Sequence, residues 1–122
     1  TNTVFDLNTS ADAGGAIYNN GQGDGGNARL TVEDSRFSGN QAGGAGGAII
    51  NMARRSGNAA LIITGSSFLD NISRLGNAIS NNGSENGAAQ LEVDGIAAAG
   101  TDLTCFNSDA SGVVVRDETC GE

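Results

Sequence analysis

The sequence contains no lysine, histidine, proline or tryptophan, and each absence closes a branch of chemistry. Without histidine there is no imidazole for general acid–base work, for a nucleophile–His pair or for an imidazole metal site. Without lysine there is neither a Schiff-base amine nor a P-loop cation. Positive charge is scarce altogether: six arginines face 14 acidic residues, a formal charge of −8 over 122 residues. Such a chain has no basic surface to neutralise phosphates, which excludes nucleic acid as a partner. Large apolar side chains are also few. Leu, Ile, Val and Phe supply 25 of the 122 residues, close to the roughly one fifth below which a charged chain tends not to fold. No apolar run approaches the roughly 20 residues of a membrane span, and no basic segment followed by an apolar stretch opens the sequence as a leader would. The length suits one domain.

What is present is periodic. Phe5, Phe37 and Phe68 each open a Phe-x-x-Asn phrase that ends at Asn8, Asn40 and Asn71. A second phrase keeps step with it: Gly14-Gly15-Ala16-Ile17-Tyr18-Asn19, Gly46-Gly47-Ala48-Ile49-Ile50-Asn51 and Gly76-Asn77-Ala78-Ile79-Ser80-Asn81. Between them lie Leu30-Thr31-Val32-Glu33, Leu61-Ile62-Ile63-Thr64 and Leu91-Glu92-Val93-Asp94. Three markers thus share a period of about 31 residues, in the range of solenoids and arrays.

The alternation at Leu30 and Val32 follows the two-residue period of a half-buried strand, while paired glycines, Asn and β-branched residues disfavour helix. Short strands joined by Gly- and Asn-rich turns, coiled so that equivalents stack at about 4.8 Å, predict an all-β right-handed parallel β-helix of about three and a half rungs. The inward columns are then Ile17, Ile49, Ile79; Leu30, Leu61, Leu91; Val32, Ile63, Val93; and Phe37 over Phe68, shrinking to Ala98. The columns Tyr18, Ile50, Ser80 and Thr31, Ile62, Glu92 and Glu33, Thr64, Asp94 are expected to face outward. Asn19, Asn51 and Asn81 should form an internal amide ladder that satisfies turn backbone. Residues 1–100 read as repeats and 101–122 as a C-terminal cap or assembly segment.

The GGAI and FxxN phrases, at Gly14 to Ile17, Gly46 to Ile49, Phe5 to Asn8, Phe37 to Asn40 and Phe68 to Asn71, resemble the repeats of chlamydial polymorphic outer-membrane proteins. More broadly, GGAIYN followed by LTVxxSxFSGN resembles the right-handed β-helix repeats of bacterial secreted and surface proteins, over residues 4 to about 100. It departs at Asn77, Ala98 and Thr101. The resemblance implies architecture and an extracellular or cell-surface location; it implies no one activity, because such folds serve as adhesins, fibres, spikes and lyases.

Candidate sites are weighed on their chemistry. Gly21-Gln22-Gly23-Asp24-Gly25-Gly26 satisfies GxGxxG but precedes a strand, whereas a dinucleotide fingerprint needs a helix; it reads as an exposed turn loop. Glu33 and Asp94 share an outward column two rungs apart, roughly 9–10 Å, at the outer edge of the about 6.5–9.5 Å of an inverting carboxylate pair. A solvated acidic face is the simpler reading, and no catalytic residue, cofactor or metal ligand is assigned. Cys105 and Cys120 are expected to form a disulfide that staples the C-terminal segment and indicates an oxidising compartment. Of the sequons at Asn8, Asn71 and Asn82, the first two sit in the Phe-x-x-Asn column, which should turn inward, and only Asn82, read as lying in a variable loop, is a candidate glycan acceptor. Val113, Val114 and Val115 form an unassigned β-branched run that could complete the first rung of another copy, since the sequence enters its repeat already at Phe5. The function read here is a non-enzymatic extracellular structural protein, a self-assembling fibre subunit joined head to tail or a surface adhesin that meets surface glycans. The alternative is a carbohydrate-active domain that binds or cleaves an acidic polysaccharide along the Glu33 face, although the net charge opposes polyanions unless calcium bridges them.

Overall fold

The alternation at Leu30, Leu61 and Leu91 produces strands, with every second side chain inward: Val32, Leu61, Ile63, Leu91 and Val93 are buried, whereas Thr31 and Glu33 are exposed. The computed structural model describes residues 1–94, 105–108 and 112–115, and these residues are all-β with no helix. The strands are β1 (Val4–Asp6), β2 (Thr9–Ser10), β3 (Ile17–Gln22), β4 (Asn27–Glu33), β5 (Arg36–Ser38), β6 (Gln41–Ala42), β7 (Ile49–Arg54), β8 (Asn58–Thr64), β9 (Ser67–Leu69), β10 (Ile79–Gly83), β11 (Ala88–Asp94), β12 (Cys105–Ser108) and β13 (Gly112–Val115).

Every described pairing is parallel. The sheets run β1-β5-β9, β3-β7-β10-β12, β4-β8-β11-β13 and β2-β6. Their register is the sequence period: Phe5 pairs with Phe37 and Phe37 with Phe68, Ile17 with Ile49 and Ile49 with Ile79, Leu30 with Leu61 and Leu61 with Leu91. Like residues therefore stack on like. The rings of Phe5 and Phe37 lie 4.7 Å apart at 6°, and those of Phe37 and Phe68 4.9 Å apart at 4°, close to the strand spacing itself. One cluster gathers Phe37, Phe68, Ile49, Ile79, Leu61, Leu91, Val32, Ile63 and Val93 from three of the sheets, so few large residues suffice because each packs against its own repeat.

The same repetition pairs most buried polar side chains, although Ser80 Oγ and Asn81 Nδ2 find no partner among the described residues. Asn19 Nδ2 donates to Asn51 Oδ1 at 2.7 Å and Asn51 Nδ2 to Asn81 Oδ1 at 2.8 Å, forming the expected ladder. A second ladder uses Asn8, Asn40 and Asn71, and a third uses hydroxyls: Thr3 N–H donates to Ser35 Oγ, and Ser35 N–H to Ser66 Oγ. The chain bends at positions of positive φ that also recur: Leu7, Gly39 and Asp70 at 55°, 62° and 54°. Only one of the three is glycine, so the packing around this corner imposes a conformation that the others adopt at some cost.

Three expectations are corrected. Ile50 and Ser80, taken as outward, are each only 1% exposed, and of that column only Tyr18 is exposed, at 46%. The glycine turn of the neighbouring repeat folds over the strand there, so that a Cβ on Gly14 would stand 3.1 Å from Ile50 Cγ2. Asn82 does not lie in a loop: it is half-buried in β10, paired with Met52, because the strand runs on to Gly83. Asn8, expected inward with its column, is exposed even though its amide donates to Asn40, since no described strand lies beyond β1. Pairing also continues past residue 100: Cys105 pairs with Ile79, Asn107 with Asn81, and Leu91 and Val93 with Val113 and Val115. Ala98, Thr101 and Cys120 lie outside the described residues, and with them the proposed disulfide and much of the 101–122 segment.

Candidate functional site

Among the described residues, two outward faces form grooves bordered by polar side chains. The first belongs to β4, β8 and β11. Register sets Arg29, Ala60 and Gln90 in one row, Thr31, Ile62 and Glu92 in the next, and Glu33, Thr64 and Asp94 in a third. A shallow groove of about 320 Å³ passes between Arg29, Ala60, Ile62, Gln90 and Glu92. Glu33 and Asp94 are thus two strands apart, as the repeat arithmetic requires, with Thr64 between them. Glu33 Oε2 accepts a hydrogen bond from Thr1 Oγ1 at 3.1 Å. Among the described residues no three acidic, Cys or His side chains gather to hold a metal ion.

The second face lies where the glycine turns meet β3, β7 and β10. Ala13, Ala45 and Leu75 pair as isolated parallel bridges and form one wall. Outward residues of the three strands form the other, with Asn20, Met52 and Asn82 in register. The groove between them measures about 510 Å³ and is bordered by Asp12, Tyr18, Met52, Arg54, Arg74, Leu75 and Asn82. The Tyr18 hydroxyl donates to the Met52 sulfur at 2.9 Å, which fixes the ring along the groove.

Tight turns place the charges at its end. Arg55 and Ser56 have φ of 50° and 60°, and Gly57 N–H donates to Arg54 C=O at 3.0 Å; this is a two-residue turn with both central residues left-handed. Glu85 and Asn86 repeat it with φ of 52° and 62°, closed by Gly87 N–H to Ser84 C=O at 2.9 Å. Stacking the turns brings Arg54 Nη2 to 3.1 Å from Glu85 Oε1, and Arg55 Nε to 3.4 Å from Glu85 Oε2. The hydrogen bond from Arg54, helped by the charges of both arginines, holds the Glu85 carboxyl below its usual value against the opposing effect of desolvation.

Sequence reasoning singled out the first face through Glu33 and Asp94 but not the second. Its parts were visible as the Tyr18 column and as arginines in the inter-strand segments; that they converge was not. Ser35 and Ser66 were also in view, two residues before each Phe, without a role.

With the geometry in place, the family comparison has a structural meaning. Residues 2–20 and 34–51 match the Chlamydia polymorphic membrane protein repeat. Each matched stretch of this membrane-protein repeat spans one Phe-x-x-Asn phrase and one Gly-Gly-Ala-Ile phrase, which here become a stacked ring, a ladder amide, a left-handed glycine and a core strand. A further set, Phe68 to Asn81, keeps the same register with Asn77 in place of the second glycine. No curated protein and no solved structure matches the chain. No helix among the described residues is long and apolar enough to cross a membrane.

Proposed function

We propose that the chain is a repeat module of a cell-surface protein with a structural and adhesive, non-catalytic role. One observation carries the reading: the positions that recur are those that hold repeats together, while outward positions change at each step, as in Arg29, Ala60, Gln90 and in Thr31, Ile62, Glu92. A scaffold that repeats its interior and varies its exterior suits a recognition surface better than a fixed catalytic constellation.

In this reading the parallel stacks are the sides of one right-handed parallel β-helix around the shared cluster, with the C-terminal segment secured by a Cys105–Cys120 disulfide in an oxidising, extracellular setting. Among the described residues β1, β3 and β4 are edge strands, suited to pairing with a further parallel strand. That strand comes from another repeat or from a second copy. Val113–Val115, at the opposite edge of the β4 sheet, then meets β4 of the next copy in a head-to-tail contact that propagates as a fibre unless it closes into a ring. The carbohydrate reading is favoured by the groove beside Tyr18 rather than by the Glu33 face.

Sizing chromatography with light scattering, electron microscopy and retention of cells on immobilised chain test the proposal together. Fibres support head-to-tail assembly, and a monomer at high concentration removes it. Cell retention supports the adhesive role, and failure to retain any cell surface removes that. Turnover of a polyuronate by the pure chain would overturn the non-catalytic reading.

A further inference from the structure

We propose that the groove beside Tyr18 binds a linear uronate polysaccharide, whose carboxylates are taken by Arg74 and Arg54. This deepens the adhesive reading above and rests on it for its biological setting.

The groove has the direction such a ligand needs. Its borders come from three successive repeats, Asp12 and Tyr18 from the first, Met52 and Arg54 from the second, and Arg74, Leu75 and Asn82 from the third. It therefore follows the stacking direction and advances about 4.8 Å per repeat. A pyranose residue in a linear polysaccharide advances by a comparable step, so successive sugars meet successive repeats. A groove open along its length admits a chain, whereas a closed pocket would select a single small molecule.

Its chemistry is also that of a sugar site. A pyranose offers an apolar ring face and a rim of hydroxyls. Tyr18 and Leu75, each 46% exposed, and Met52 between them supply the apolar surface, with the tyrosine ring held by its bond to Met52. Asn82 and Asp12 supply an amide and a carboxylate for the hydroxyl rim.

Charge selects the uronate. In a chain of formal charge −8, this groove has two guanidinium groups against one carboxylate along its border. Arg74 forms no ion pair among the described residues, and Arg54 spends one Nη2 contact on Glu85, leaving other donors of its five. A guanidinium presents two parallel donors to a carboxylate, a geometry that an ammonium group lacks. Repulsion from acidic groups beyond about 8 Å is screened at physiological salt, and Glu85, which lies within that distance, is offset by Arg55 at 3.4 Å, so the local arginines decide the contact. Direct guanidinium contacts also make a bridging calcium ion unnecessary.

Calorimetric titration of the whole chain with galacturonate oligosaccharides, in the presence of a calcium chelator, tests this. The expected result is binding of the uronates without binding of neutral gluco- or xylo-oligosaccharides. Arg74→Gln and Tyr18→Ala should each weaken binding about tenfold or more, as for loss of a charge-assisted fork or an apolar platform. Arg29→Gln on the other face should leave it unchanged. All three residues are exposed, and an unchanged denaturation midpoint verifies that each variant is folded. No uronate binding overturns the proposal, as does binding that disappears on chelation. Equal binding of polyglutamate with no effect of Tyr18→Ala overturns it in favour of an acidic-peptide contact, including one with a second copy. Immobilised chain that retains cells yet ignores uronates removes the groove assignment alone; uronate binding without cell retention removes the adhesive role and leaves the groove.

Discussion

Asn40 donates both its backbone N–H and its side-chain Nδ2 to the single Oδ1 of Asn71, at 3.0 and 2.9 Å. Asn40 is thus donor to the repeat after it and acceptor for the repeat before it, since its own Oδ1 takes the N–H and Nδ2 of Asn8. Asn40 Nδ2 also reaches Phe5 C=O at 3.0 Å, and Asn71 Nδ2 reaches Phe37 C=O at 3.0 Å, which ties the ladder to the ring stack.

Asn40→Ala should therefore be costly. It strips partners from Phe5 C=O and Asn8 N–H and leaves Asn71 Oδ1 with the backbone N–H of residue 40 alone, at about 1–3 kcal/mol for each buried group left unpaired. Asn40→Asp should be no better, because a carboxylate cannot donate to Asn71 Oδ1. Urea denaturation of both variants checks this, and native-like stability of the aspartate form would show that the ladder is dispensable.

Phe68→Ala removes a fully buried ring from the stack and should cost about 3–5 kcal/mol. Arg55→Ala, at an exposed turn, should stay within about 0.5 kcal/mol. Midpoints from chemical denaturation separate the two; equal tolerance would mean that the stack contributes little.

Gly47→Ala should be destabilising for a reason unrelated to φ. A Cβ there would lie 2.0 Å from Asn77 C=O and 2.7 Å from Ile72 N, both backbone atoms of the next repeat that cannot rotate away. Separating the repeats should cost about 1–3 kcal/mol or more, visible as a lowered thermal midpoint. At Gly25 space is open and only the left-handed φ of 75° constrains the choice, so Gly25→Asn should be mild by the same measurement.

Acidification should weaken the turn stack through Glu85. Its carboxyl titrates lower in the folded chain than in the unfolded one, so its contribution is present above the unfolded carboxylate pKa and is lost as pH falls through the folded value. Glu85→Gln should flatten that part of the pH–stability profile, measured by denaturation across the acid range, with NMR titration of the Glu85 side chain giving the folded pKa directly. The site is exposed, so screening keeps the effect small, and added salt should reduce it further.

The stacks of Phe, Ile and Leu and the Asn19–Asn51–Asn81 ladder were legible because parallel in-register pairing repeats one environment at a fixed interval, and like residues at that interval report it. Ile50 and Ser80 were not, since alternation assigns a side chain to a strand face but cannot tell whether a neighbouring repeat covers that face. The same limit placed Asn82 in a loop, where Gly83 and Ala53 continue the pairing. The fourth set of pairs was hidden by shortening: Ile79 to Cys105 spans 26 residues and Leu91 to Val113 spans 22, so a search at about 31 residues passes over Asn107 and the Val113–Val115 run.

The sequence alone determined the period, the parallel register and the identity of the stacked columns, because these depend on residues that must meet their own equivalents. Only the tertiary structure decided which outward residues become neighbours. Arg54, Arg74 and Tyr18 come from different strands and turns and from three different repeats, and what joins them is the folding of each glycine turn over the strand that follows. That closure depends on backbone conformation at positions such as Gly14 and Gly46, with φ of 64° at both, and on packing against the neighbouring repeat, neither of which leaves a mark in the spacing of the arginines.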